Sequence, residues 1–190
     1  MQPDAYRLIA ILWTAIFLIW GISAYTFKRT IRSRSGGRAR VAVWVVSIGW
    51  FLLFSRNLHA GPLAWRFVPM TPAAIYVGLV LTLAGFALSL WARFYLGRNW
   101  SALVTLKEDH KLVRTGPYAI VRHPIYSGFM LATLGTAIAF GELRGLISVA
   151  LVVIAWGYKS RLEEALMVEQ FGAEYERYRA NVKGLIPFIW

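Results

Sequence analysis

Apolar residues are gathered into five runs, at residues 6–27, 41–54, 73–96, 125–140 and 146–158, and the segments between them carry most of the charge. A helix needs about 20 such residues to cross a bilayer, and fewer where the bilayer thins around it. The first and third runs meet that length. The second, fourth and fifth are short, which predicts tilted neighbours in a thinned region. Alternatively, the last two form one helical hairpin bent at Gly141-Glu142-Leu143-Arg144-Gly145. The pattern predicts an all-α polytopic membrane protein with about five transmembrane helices. It forms a single integral membrane domain over residues 1–190, with transmembrane helices in 1–90 and the chemistry-bearing half in 91–190.

The polar segments divide into loop and helix. Between the third and fourth runs the chain reads as a loop, with a turn at Thr115-Gly116-Pro117. Pro124 suits the first turn of a helix and leaves His123 near its N-cap. Beyond the fifth run the helix continues through Lys159 to Phe171, with Leu162, Leu166 and Glu169 on one side and Lys159 four residues from Glu163. Gly172 interrupts it. A short amphipathic helix then runs from Ala173 to Arg179, before Gly184 and Pro187 end it.

Composition narrows the class. The chain has 190 residues, 58% of them hydrophobic and 16% charged, which is too apolar for a soluble domain of this size. The absence of cysteine excludes disulfides, thiolate metal sites and cysteine nucleophiles. Gly21-Ile22-Ser23-Ala24 has the small residues of a signal cleavage site, but Asp4 beside Arg7 spoils a basic leader and the first run is too long for one. That run therefore reads as a span.

Charge then orients the bundle. Lys28, Arg29, Arg32, Arg34, Arg38 and Arg40 follow the first run, Arg98, Lys107, Lys111, Arg114 and Arg122 the third, and Lys159, Arg161, Arg177, Arg179 and Lys183 the fifth. With five crossings all three groups fall on one side, and only Arg7, Arg56, Arg66 and Arg144 on the other. The positive-inside rule puts the amino terminus outside and the basic side, with the carboxyl terminus, in the cytoplasm. The net charge of +12 does not indicate nucleic acid, because no aromatic residue interleaves between Arg29 and Arg40 to stack a base. Those side chains suit anionic membrane lipids instead.

The residues with chemical potential lie at that cytoplasmic edge. The series His110-x-Leu112-Val113-x-x-Gly116-Pro117-Tyr118-x-x-x-Arg122-His123-Pro124-x-Tyr126-x-Gly128 is followed by Glu163-Glu164, then Phe171-Gly172-x-x-Tyr175-x-x-Tyr178. Both blocks, in this order and separated by a helical hairpin, resemble the isoprenylcysteine carboxyl methyltransferase family. The resemblance covers the carboxyl-terminal half.

The resemblance implies a membrane methyltransferase with S-adenosyl-L-methionine as cofactor and a lipophilic small molecule or prenylated substrate as acceptor. It assigns cofactor binding to His110, Lys111, Leu112, Val113, Tyr118, His123, Pro124, Ile125 and Tyr126, in a cytoplasmic carboxyl-terminal helical region. Glu163 also lines that site. The family carries a substrate-facing arginine where this chain has Lys159, which keeps the charge but loses the bidentate fork for a carboxylate. Arg161 is the nearest substitute, though it points about 200° around the helix from Lys159. Glu163, Lys159 and Arg161 are thus the candidate catalytic residues.

Physical chemistry fits such a reaction at a membrane edge. Methyl transfer from a sulfonium needs little acid or base help; it needs an aligned nucleophile about 3 Å away and stripped of water. No Gly-x-Gly-x-x-Gly follows a strand, so a Rossmann-type site is not available. Scattered histidines with no His-x-x-x-His pair argue against a metal. Phospholipid amines and thiols are alternative acceptors. Sterol and isoprenoid reductases resemble the last spans but bind a nicotinamide cofactor. A transporter or scaffold is disfavoured, because the span interiors lack ionisable residues. Purely structural readings also exist: His123 as a helix cap, Tyr118 and Tyr126 as interfacial anchors, Glu163 and Glu164 as solvent-facing partners of Lys159 and Arg161, and the tryptophans as belt or packing residues.

Overall fold

The computed structural model describes residues 3–23, 30–33, 36–55, 61–97, 105–107 and 112–189. Its helices are α1 (Pro3–Ser23), α2 (Gly36–Phe54), α3 (Pro72–Leu96), α4 (Pro124–Phe140), α5 (Leu143–Phe171) and α6 (Ala173–Asn181). Two short strands, β1 (Thr30–Ser33) and β2 (Thr105–Lys107), form one antiparallel ladder that opposes Ser33 to Thr105. Among the described residues four helices are long and apolar enough to cross a membrane, and the shorter apolar α4 joins them. The all-α polytopic expectation holds; among the described residues the only β pairings are that ladder and an isolated antiparallel bridge between Arg66 and Glu142.

Where helix ends differ from the apolar runs, the reason is local. The second run begins at residue 41, whereas α2 begins at Gly36 and takes in Arg38 and Arg40. Arginine is a good helix former, and both side chains are exposed, so polar residues extend the helix without entering the core. Thr71 starts α3 by accepting a hydrogen bond from the Ala74 amide at 3.2 Å. The fifth run ends at residue 158, but α5 continues as one 29-residue rod, about 43 Å long against roughly 30 Å of hydrocarbon. Its far part, Leu162 and Leu166, packs on Ala39 of α2.

The helices alternate in direction, and side-chain contacts fix which ends meet. At one end the Tyr6 hydroxyl donates to the Phe54 carbonyl at 2.6 Å and its ring stacks on Phe140 at 5.1 Å. Here Arg144, 1% exposed, pairs with Glu142 at 2.6 Å and donates to the Ser55 carbonyl. Arg66 donates to the Phe140 carbonyl at 3.1 Å. At the other end Arg93 of α3 donates to the Ser23 carbonyl of α1 at 2.6 Å, and Ser89 to the Ile125 carbonyl at 3.1 Å. Arg93 lies inside the third run and is buried, so that span does carry an ionisable side chain near its end.

The α3–α4 contact positions the site. A Cβ on Gly85 would sit 2.4 Å from the Gly128 carbonyl oxygen, and one on Gly78 would sit 2.5 Å from that of Gly135. Small residues let the backbones touch, as membrane helices do when no water drives them together. Polar side chains inside the bundle find one another: Trp13 Nε1 donates to Thr136 at 2.9 Å, Trp50 Nε1 to Thr133 at 3.1 Å, and Thr82 meets Thr136 at 3.2 Å.

Candidate active site

The loop before α4 is shaped by Gly116, Pro117 and Tyr118. Gly116 has φ 59°, and a Cβ there would meet the Tyr95 ring at 2.7 Å, so only glycine suits the position. The turn buries Tyr118, whose hydroxyl donates to the Ala92 carbonyl at 3.4 Å. Tyr178 of α6 donates in turn to the Tyr118 carbonyl at 2.6 Å. Burial first, and then the nearby Glu163 charge, push the Tyr118 phenol well up, so it stays a neutral donor.

His123 occupies the N-cap of α4, but its side chain makes no cap hydrogen bond. Instead the imidazole turns to α5. Its Nδ1 lies 3.5 Å from Glu163 Oε2 and its Nε2 lies 3.1 Å from Glu164 Oε1. Burial pulls its pKa down, but the hydrogen bonds and charges of the two carboxylates outweigh that, and the net direction is up. A ring with a carboxylate at each nitrogen is best satisfied as the imidazolium.

Around this ring the cluster is continuous. Arg122 sends Nε and Nη2 to the same Glu164 oxygen, at 2.8 and 2.6 Å. The Tyr126 hydroxyl donates to Glu163, and Lys159 Nζ lies 3.8 Å from that carboxylate. His123, Tyr126 and Trp156 stack as a column, with centroids 5.6 and 4.5 Å apart and planes within 6° and 5°. Lys159, 2% exposed, holds its ammonium 5.2 Å from both the Tyr126 and Trp156 ring centres. That geometry is a cation–π pairing in a desolvated place. Trp156 Nε1 is buried with no hydrogen-bond partner among the described residues.

A backbone strap closes the site. The Arg122 amide donates to the Lys183 carbonyl at 2.8 Å and the His123 amide to that of Gly184 at 3.0 Å. Ser127 Oγ donates to the Leu185 carbonyl at 2.5 Å.

A family profile described as Phospholipid methyltransferase matches residues 73–174, more than half of the chain. The chain belongs to the phospholipid methyltransferase family. Among relatives of this family member, the protein-S-isoprenylcysteine O-methyltransferase of Schizosaccharomyces pombe is 41% identical over 98 residues, covering 49% of this chain and 41% of the relative. That of Saccharomyces cerevisiae is 35% identical over 124 residues, covering 63% and 51%. The solved structure of the eukaryotic intramembrane Ras methyltransferase, isoprenylcysteine carboxyl methyltransferase, is also similar. It superposes with a TM-score of 0.54 at 25% identity over 84% of this chain and 55% of the other. The chain thus spans about half the length of the curated relatives it matches.

Of the residues expected in this family member's site, Tyr118, His123, Tyr126, Lys159 and Glu163 come together, and Pro124 and Ile125 are buried in the same turn. Leu112 and Val113 are half-buried, with Val113 packed on the core. Arg161 is exposed on the other side of α5 from Lys159. His110 and Lys111 lie outside the described residues, as do Arg56 and Trp100. Arg122 and Glu164 belong to the cluster although sequence reasoning left them out of the site. The purely structural reading makes Glu164 a solvent-facing partner of Lys159 or Arg161; in the structure it pairs with Arg122, 42 residues away. Trp156 was missed too, although it shares the helical face of Lys159 and Glu163 at spacings of three and seven.

Proposed function

We propose that this chain is an S-adenosylmethionine-dependent methyltransferase that works at the membrane boundary on a lipophilic acceptor. Carboxyl O-methylation of an isoprenylcysteine-like acid is the reading favoured. The observation that carries it is the buried junction between the Arg-His-Pro turn and the Glu-Glu segment of α5. Names of the relatives support the same chemistry.

The residues present fit the cofactor class. Trp156 Nε1–H, which has no hydrogen-bond partner among the described residues, is a buried donor for a polar group, and aromatic and carboxylate side chains line the same junction. Tyr118, His123 and Tyr126 are the described polar side chains that would hold it, with Leu112 and Val113 beside them. When bound, S-adenosylmethionine supplies an electrophilic methyl group. The chain's own contribution is orientation and dryness: the strap and the helix tops exclude water, and Glu163 is fixed by His123, Tyr126 and Lys159. The buried Lys159 ammonium attracts an acceptor carboxylate, whereas a phospholipid amine would meet a charge of its own sign. That favours the acid over the amine. The site and carboxyl terminus are assigned to the cytoplasm, the side where the donor is made available.

Thermal unfolding of the purified protein with each cofactor tests the class. A ligand at 100 times its dissociation constant adds about 2.7 kcal/mol, so S-adenosylmethionine should raise the midpoint visibly. Stabilisation by NADPH alone would replace the methyltransferase reading with a reductase. Radiolabelled donor with prenylated thioether acids, fatty acids, thiols and amines then identifies the acceptor.

A further inference from the structure

Phe188 has φ 65° and is the sole non-glycine residue with positive φ among the described residues, yet its side chain is 93% exposed. It lies in a turn closed by the Ile189 amide donating to the Ile186 carbonyl at 3.2 Å. The left-handed region at such a position suits glycine or asparagine, and a bulky aromatic there is an outlier. Its neighbours are apolar and outward too, with Ile189 76% and Ile186 38% exposed. In water this is an unfavourable tip on a strained turn.

Its location explains what covers it. The preceding residue, Leu185, is buried and its carbonyl is bonded to Ser127 in the first turn of α4. The tip therefore leaves the protein at the level where α4 enters its apolar stretch. Just before it stands the exposed Lys183, with exposed Arg177 on α6. Apolar side chains at the acyl–headgroup boundary with basic ones alongside match an anionic lipid surface.

We propose that residues 186–189 form a lipid hook: Ile186, Phe188 and Ile189 seat in the bilayer interface and hold the strap at residues 182–185 against Arg122 and His123. The hook ties lipid contact to the site through the two backbone hydrogen bonds from Arg122 and His123 to the strap. It rests on the membrane fold and not on the identity of the acceptor.

The chain has no cysteine, so a single nitroxide label can be placed without background. Phe188→Cys and, independently, Ile189→Cys are labelled and placed in vesicles of phosphatidylcholine and phosphatidylglycerol, with Ala180→Cys on α6 as the water-exposed reference. Dissolved oxygen should relax the labels at 188 and 189 more than a water-soluble nickel chelate does, with the reverse order at 180. Chelate access at 188 and 189 equal to that at 180 overturns the hook. So does spin–spin broadening that disappears on dilution with unlabelled protein, which would mean that a second copy covers the tip. Phe188→Gly keeps the turn and removes the apolar side chain. In vesicles it should speed hydrogen exchange at the Arg122 and His123 amides, and unchanged exchange overturns the link to the site.

Discussion

A histidine with a carboxylate at each ring nitrogen sets a sign for the response to pH. His123 is raised above its ordinary value of 6.5, with Glu163, Glu164, Arg122 and the Tyr126 ring around it. A group raised in the folded state contributes stability that is complete below its unfolded pKa and is lost as pH rises through the folded one. The thermal midpoint should therefore fall across a window starting near 6.5, and His123→Gln should lack that fall. A wild-type midpoint flat across the window would show that the ring is neutral. At the same scale, Glu163→Gln keeps the size of the side chain but removes the charge shared by His123, Tyr126 and Lys159. It should abolish methyl transfer while the protein remains folded by circular dichroism; full activity would remove Glu163 from the site. Short-range pairings at these residues were legible in the sequence, since Lys159 and Glu163 are one helical turn apart. The Arg122–Glu164 pair was not, because helical spacing says nothing about partners on different elements.

For the elements, hydrophobic periodicity found all five apolar helices but misplaced their ends, because it does not see exposed charged residues extending a helix. Nor could it show which glycines lie at contacts. Gly128 and Gly21 are both helical glycines, yet a Cβ on Gly128 would sit 2.2 Å from Ser89 Oγ and 2.5 Å from the Gly85 carbonyl oxygen, whereas one on Gly21 meets nothing within 4 Å among the described residues. Gly128→Ala must push α3 and α4 apart, at a cost of about 1–3 kcal/mol or more, since backbone cannot yield. Gly21→Ala gains helix propensity and should stabilise by roughly 0.5–1 kcal/mol. Opposite shifts of the thermal midpoint in detergent are the expected result, and equal shifts would mean that the α3–α4 contact is looser than described. Because α4 carries His123 and Tyr126, the same substitution at Gly128 should weaken binding of the methyl donor as well.

The molecule as a whole has two unlike ends, and the difference is larger in space than in sequence. Of the arginines at the end away from the site, Arg144 is sealed inside the bundle on Glu142 and Arg66 is tied to the Phe140 carbonyl, so they serve the helix junction. Arg38, Arg40, Arg161, Arg177 and Lys183, on α2, α5, α6 and the strap, are exposed. Cationic side chains resist translocation and are drawn to anionic headgroups, which is the ground on which we propose that the site end faces the cytoplasm. The cysteine-free chain allows a direct check with Trp65→Cys, 69% exposed at the far end, and Ala180→Cys on exposed α6. An impermeant maleimide added to intact cells should label Trp65→Cys at once and Ala180→Cys only after the membrane is opened. The reverse pattern would put the site outside, away from a cytoplasmic methyl donor, and would count against the methyltransferase reading as well as against the orientation.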